Sequence, residues 1–108
     1  MSVVSAKSER DVALDKEEAR AIGAAKIDEL RTLSYQELLR FMDPVHQDVM
    51  GASGTDYQVE VLAFWDGGRR ARDGNLHVIV SVDDGGWSAV SPLTSDFIIA
   101  PTGEFIGE

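Results

Sequence analysis

The pattern of apolar residues changes once along the chain, and this change limits the possible folds. From Tyr57 to Trp65, and again from Leu76 to Val82, apolar residues recur at every second position, whereas the chain before Pro44 follows helical spacing. A period of two is typical of strands with a buried face. Helices followed by strands joined through short turns favour an α+β fold. We predict one long and one short N-terminal helix packed on one face of an antiparallel four- to five-stranded meander sheet.

The first helix is predicted from Asp15, where Asp15 and Glu18 resemble a capping box. Its apolar residues fall on one side at helical spacing: Ala19, Ile22, Ile27, Leu30 and Leu33. Gly23 weakens this helix, which is best explained by the close approach of another backbone. Residues 1–12 have no clear period and are predicted to be a flexible N-terminus, leaving residues 13–108 as a single domain.

A second, shorter helix is predicted to begin near Tyr35, because Ser34 and Glu37 form the pattern of a capping box. It is expected to end by Asp43, since the following proline disfavours helical geometry in the residue before it. The apolar side chains expected to be buried are Leu38, Leu39 and Met42. Residues 45–55 end in small residues and are predicted to be a connection, with one helical turn around residues 46–50.

The chain after Asp56 is predicted to form strands and turns. Asp66–Asn75 is a loop by composition, with two Asp-Gly pairs around an arginine cluster. Asp83–Gly86 predicts a tight reversal into a strand containing Trp87, Ala89 and Val90. A short strand is expected at residues 97–100, and Pro101–Gly103 predicts a type I turn before Phe105 and Ile106.

Composition excludes several classes of function. The 108 residues include no cysteine, which removes disulfide frameworks, thiolate nucleophiles and zinc fingers. The formal net charge is -9, and the chain after Asp43 holds only three basic residues against ten acidic ones. Such a surface repels phosphate backbones and anionic lipids, so neither nucleic acid nor a membrane is an expected partner. Without a long apolar run or a signal-peptide pattern, the protein is expected to be cytoplasmic.

The last quarter of the chain contains glycine, proline and aromatic residues in one distinctive order. Its positions are Asp84, Gly85, Gly86, Trp87, Pro92, Leu93, Phe97, Ile98, Ala100, Pro101, Gly103, Gly107 and Glu108. In these positions the chain resembles the ending of a family of small bacterial domains of unknown function. The resemblance brings no established activity. Similar small acidic domains occur near bacterial toxin and contact-dependent systems, which implies an immunity-type or accessory role.

Asp83 and Asp84, with Asp66 and His77 expected nearby, form the one cluster with the chemistry for acid–base catalysis or for a hard metal such as Ca²⁺. The same aspartates are also what a tight turn requires, since their carboxylates accept local backbone hydrogen bonds. We favour the turn, and we therefore expect no catalytic residue, no bound metal and no cofactor. His77 is expected to be a half-exposed strand residue.

The loop arginines Arg69, Arg70 and Arg72 suit phosphate or an acidic partner, although the loop lacks the Walker pattern. A solvated hairpin tip that discourages edge aggregation is the favoured explanation, and a contact site is the alternative. The aromatic residues of the second half, including Trp65 and Trp87, are expected to pack between helix and sheet, or else to line a concave pocket.

Two functions from different classes remain. The favoured one is a non-enzymatic protein-interaction module whose acidic sheet half docks a basic protein. Its predicted contact residues are Asp66, Arg69, Arg70, Arg72, Asp83, Asp84 and Trp87. The alternative is a small-ligand-binding or enzymatic domain with a pocket between helix and sheet, in which His77 and Asp84 are the polar groups. Whether an edge strand pairs with a second copy to form a homo-oligomer is left open.

Overall fold

The computed structural model describes residues 9–84 and 93–108. Its helices are α1 (Glu9–Leu30) and α2 (Tyr35–Leu38), the latter continued by a 3₁₀ helix at Leu39–Met42. Its strands are β1 (Val45–Met50), β2 (Asp56–Trp65), β3 (Leu76–Asp83), β4 (Leu93–Ile99) and β5 (Phe105–Ile106). The strands form one antiparallel sheet in the order β1-β2-β3-β4-β5, so the predicted α+β meander is confirmed.

Helix α1 begins at Glu9, earlier than the predicted start at Asp15. Asp15 therefore lies within the helix and does not cap it. The helix packs over β3 and β4, with Ala19 and Leu30 buried in the core. In the described part of the chain, no helix is both long enough and apolar enough to span a membrane, and this includes the 22-residue α1.

The predicted capping box of α2 is confirmed. The Ser34 hydroxyl accepts a hydrogen bond from the Glu37 backbone N–H at 3.1 Å, and the Glu37 carboxylate accepts one from the Ser34 N–H at 2.9 Å. Leu38 is fully buried and Leu39 partly so, as expected. Met42 is 40% exposed, so its predicted burial is wrong. The 3₁₀ helix that carries Met42 ends at that residue, directly before Asp43 and Pro44.

Residues 45–50 form strand β1, and the predicted helical turn there is wrong. The strand pairs with β2 along its whole length, from Val45 opposite Val61 to Met50 opposite Asp56. A three-residue turn closes the hairpin, with the Gly51 N–H donating to the Thr55 carbonyl at 2.8 Å. Gly54 ends this turn at a φ of 91°, in the left-handed region that favours glycine. The small residues thus form the turn of a hairpin and not a long connection.

The two faces of the sheet differ sharply. The face toward α1 carries the core, whose sheet members are Tyr57, Val59, Val61, Ala63, Leu76, Val78, Val80, Val82, Phe97 and Ile99. The predicted alternation in β2 and β3 is therefore confirmed, because all of the second-position side chains in β3 and nearly all in β2 are buried. Residues on the other face are exposed or half-buried.

The connections between strands agree in part with those predicted from the sequence. Asp66–Asn75 is the predicted loop and contains a short 3₁₀ helix at Gly68–Ala71. Strand β4 begins at Leu93, opposite Val82, and so starts before the predicted Phe97. The turn beyond Asp84 and the strand expected at residues 87–90 lie outside the described residues. The predicted turn at Pro101 is confirmed in position by the bond from the Gly103 N–H to the Ala100 carbonyl, at 2.8 Å.

Candidate binding surface

The sheet face that points away from α1 is called here the open face. Strand register gives it an apolar centre built from every second residue of the middle strands and from β5: Leu62, Phe64, Ile79, Ile98 and Ile106. None of these side chains is buried, and Phe64 is 38% exposed. An apolar sheet face that stays accessible to solvent marks a site for association.

Cross-strand pairing makes this apolar centre continuous. Phe64 lies opposite His77, which lies opposite Ile98, which in turn lies opposite Ile106. The rings of Phe64 and His77 are 5.0 Å apart between centroids. One step along the strands, Leu62 lies opposite Ile79 and forms the second apolar row. Directly opposed side chains on one face are neighbours, and so are side chains two positions apart on one strand. The two rows therefore form a single patch, with the His77 ring inside it.

Acidic side chains border the apolar centre on the same face, on the side of β1 and of the Asp83 end of β3. By strand register they are Asp48, Asp56, Glu60, Asp83 and Asp96. The sequences of the five described strands contain no lysine and no arginine. At the other end, Arg69 of the loop lines a cavity together with Phe64. The open face therefore combines an apolar centre with a negative rim on one side, which favours a partner surface with an apolar anchor next to basic residues.

Both histidines lie on the open face, and each pairs with a carboxylate of a neighbouring strand. His77 Nε2 lies 2.5 Å from Asp96 Oδ2, and His46 Nε2 lies 2.8 Å from Glu60 Oε2. The side chain of His77 is 20% exposed, which matches its predicted half-exposed position. Across residues 9–84 and 93–108, no group of three His, Asp or Glu side chains could hold a metal ion.

The structure separates the seven predicted contact residues into two places. Asp66, Arg69, Arg70 and Arg72 are exposed at the loop end of β2 and β3. Asp83 and Asp84 are half-buried at the opposite end of β3, roughly 25 Å away at the rise of an extended strand. Trp87 lies outside the described residues. The aspartates therefore do not form one cluster with Asp66 and His77.

The alternative pocket lacks its predicted polar pair. His77 and Asp84 lie at opposite ends of β3, so the two side chains do not converge. A groove of about 240 Å³ does lie between α1 and the first two strands. Its lining residues are Ile22, Ala25, Lys26, Glu29, Gln47, Val49 and Val59, and they include neither His77 nor Asp84.

The carboxyl groups with clearly shifted pKa values make contacts outside the open face. Hydrogen bonds from Ser53 lower the pKa of Glu18, and those from Ser34 lower the pKa of Glu37. The Arg31 guanidinium lowers the pKa of Glu108, which it holds by two hydrogen bonds. Burial raises the pKa of Tyr35, whose hydroxyl donates to the Gly74 carbonyl at 2.7 Å. Glu37 caps its own helix, whereas the contacts of Glu18, Tyr35 and Arg31 join the helical part of the chain to the loops and to the C-terminal end.

Sequence reasoning missed most of the open-face residues. The alternation of β2 already showed that its second face becomes apolar at Leu62 and Phe64. In β3, Ile79 lies between the buried residues Val78 and Val80 and so points to the second face. Ile98 and Ile106 carry no such signal, because only the strand register shows that they lie beside His77.

We compared the chain with protein-family models, with curated protein sequences and with solved structures, and none of the three comparisons gave a match.

Proposed function

We propose that this chain is a non-enzymatic protein-interaction module that binds a basic protein through its open face. The observation that carries the proposal is the continuous apolar patch around Phe64, bordered by carboxylates on strands without any lysine or arginine. Burial of the apolar centre supplies affinity, while the negative rim increases the rate of encounter with a positive surface.

The arrangement of titratable groups supports binding over catalysis. Asp96 pairs with His77, and Glu60 with His46, at exposed positions on a sheet surface. Catalysis by general acids and bases usually relies on groups gathered in a cleft that excludes water. The last quarter of the chain resembles a family of small bacterial domains of unknown function, and similar small acidic domains occur near bacterial toxin systems. An immunity or accessory role is therefore the biological context that we propose for this binding.

The proposal is tested by affinity capture from lysate of the native host, using the immobilised chain and two open-face variants. Phe64→Ser removes the exposed aromatic ring, and Asp96→Asn removes one carboxylate of the rim. Asp28→Asn is the matched control, because it removes an exposed carboxylate from α1.

We expect a basic protein that binds at low ionic strength and is released by salt. Retention on Phe64→Ser should fall roughly tenfold, the effect of losing an aromatic anchor. Retention on Asp96→Asn should fall less, and Asp28→Asn should bind like the unchanged chain. Retention that is insensitive to salt and equal for all variants would contradict the proposal.

A further inference from the structure

Strand β1 is an edge strand that is open on its outer side. No other described strand pairs there, since β1 ends the sheet order. Five of its six residues are exposed, and the exposed apolar side chains at its two ends are Val45 at 44% and Met50 at 63%. Edge strands of soluble proteins are usually protected by lysine, proline or a bulge, and β1 contains none of these.

The backbone of β1 can accept a further strand. Hydrogen-bonded pairs alternate along an antiparallel ladder, and Gly51 already bonds to Thr55 at the turn. With continuous pairing from Val45 to Met50, the backbone amides of His46 and Asp48 then point away from β2. These groups are the ones that a strand added at the edge would bond.

The side chains of β1 are complementary to a second copy of themselves in one register. If a two-fold axis perpendicular to the sheet passes beside Gln47, His46 lies opposite Asp48 of the second copy, and Val45 lies opposite Val49 of the second copy. Both contacts then occur twice. The neighbouring symmetric register centred on Asp48 places two carboxylates opposite each other, and like charges in directly opposed positions are destabilising. The one centred on His46 places Val45 opposite Gln47 and loses both contacts.

The groove beside β1 adds apolar surface to this contact. Val49 lines the groove between α1 and the sheet, together with Ile22 and Ala25 of the helix. In the register centred on Gln47, Val45 of the second copy lies against Val49 and covers this side of the groove. The exposed Val45 side chain is thereby removed from water in both copies.

We infer that the chain forms a symmetric homodimer through antiparallel pairing of β1, which joins two five-stranded sheets into one continuous sheet. The inference concerns the edge of the sheet and does not depend on the proposed function of the open face. Because α1 packs over β3 and β4, it leaves the outer edge of β1 accessible for this pairing.

Single cysteine variants test both the dimer and its register, because the natural chain has no cysteine. Gln47→Cys places its thiol on the two-fold axis, in a non-hydrogen-bonded pair with a Cα separation of about 4.5 Å, which a disulfide can bridge. Met50→Cys is the matched control, because Met50 is exposed on the same strand and its replacement leaves His46 and Asp48 in place. In this register the two Met50→Cys thiols lie on opposite sides of the axis, three residues from it, and do not meet.

Under mild oxidation, we expect Gln47→Cys to become mostly a covalent species of twice the 11.8 kDa chain mass, and Met50→Cys to stay mostly at the chain mass. Equal cross-linking of both variants, or cross-linking of Met50→Cys alone, would overturn the inference. The unchanged chain should show the same doubled mass by light scattering during size-exclusion chromatography, and a monomer at every soluble concentration would also overturn it.

A proline variant provides a second measurement. In Asp48→Pro the missing N–H is one that points away from β2, so the hairpin should keep its own bonds while the edge is blocked. We expect the circular dichroism spectrum of the unchanged chain with the mass of a monomer. A folded Asp48→Pro variant that remains dimeric would contradict pairing through β1.

Discussion

Single polar side chains join the helix to the sheet, and Glu18 shows how. Its carboxylate accepts hydrogen bonds from the Ser53 N–H at 3.0 Å, the Ser53 hydroxyl at 2.6 Å and the Tyr57 hydroxyl at 2.8 Å. Gly51 leaves room for this contact, because a Cβ there would come within 2.8 Å of the Tyr57 ring and would overlap the Glu18 carboxylate. Glu18 therefore fixes the β1–β2 turn against α1.

Glu18→Gln is expected to change how stability depends on pH. Hydrogen bonds from Ser53 hold the pKa of Glu18 below its usual 4.5, so the folded state favours the ionised form. Its stabilising effect is complete above the pKa of the unfolded chain and is lost as the pH falls through the lower pKa of the folded chain. The melting temperature of the unchanged protein should therefore fall on acidification below pH 4.5, and the melting temperature of Glu18→Gln should fall less.

Thermal unfolding followed by circular dichroism at neutral and acidic pH measures this difference. The control is Glu17→Gln, which changes an exposed neighbouring carboxylate on α1. At neutral pH the Glu18 variant should melt below the Glu17 variant. Parallel acid transitions for both variants would show that the contact with Ser53 is not linked to folding.

Contacts between residues close in sequence were the predictable ones. The capping box of Ser34 and Glu37 spans three positions, so its pattern is visible in the sequence itself. Glu18 meets Ser53 across 35 positions and Arg31 meets Glu108 across 77, and no local pattern records such pairs. Of the open-face carboxylates only Asp83 is among the predicted contact residues, because strand register brings the others beside it.

At the scale of secondary structure, burial determines which strands the sequence reveals. Strands β2 and β3 bury one face against the helix, and this produces the alternation that predicted them. Strand β1 is exposed on both faces, so its side chains are not selected for an apolar period of two. Its pairing with β2, and not its composition, makes it a strand.

Gly23→Ala is expected to stabilise the protein through α1. The prediction of a close backbone at Gly23 is wrong in detail, since the atoms nearest to a Cβ added at this position belong to the Val82 and Ser95 side chains, at 3.5 and 3.6 Å. These are ordinary contact distances, so alanine fits and also removes the cost of glycine in a helix. We expect a gain of about 0.5–1 kcal/mol in the free energy of unfolding.

Urea denaturation measures this gain, and Ala24→Gly is the matched control. Ala24 is exposed on the same helix, so glycine there should lower the free energy of unfolding by a similar amount. A loss of stability in Gly23→Ala would mean that α1 packs more tightly on β3 and β4 than these distances indicate.

The whole molecule is two-sided. One sheet face is covered by α1 and forms the core, while the open face presents an apolar centre with a negative rim on one side. The acidic character of the chain after Asp43, with ten acidic and three basic residues, is visible in the sequence itself. The sequence placed the contact residues in turns, whereas the structure sets the described ones at opposite ends of β3, with Asp83 as the last residue of the strand.

The proposal that the open face binds a basic protein is tested most directly by methyl NMR of the isotopically labelled chain during titration with the captured partner. The isoleucine methyl signals of Ile79, Ile98 and Ile106 report the open face, and those of Ile22 and Ile27 report the side of α1. We predict that the first group shifts or broadens while the second keeps its positions. Changes at Ile22 and Ile27 with unchanged open-face signals would contradict binding through the open face.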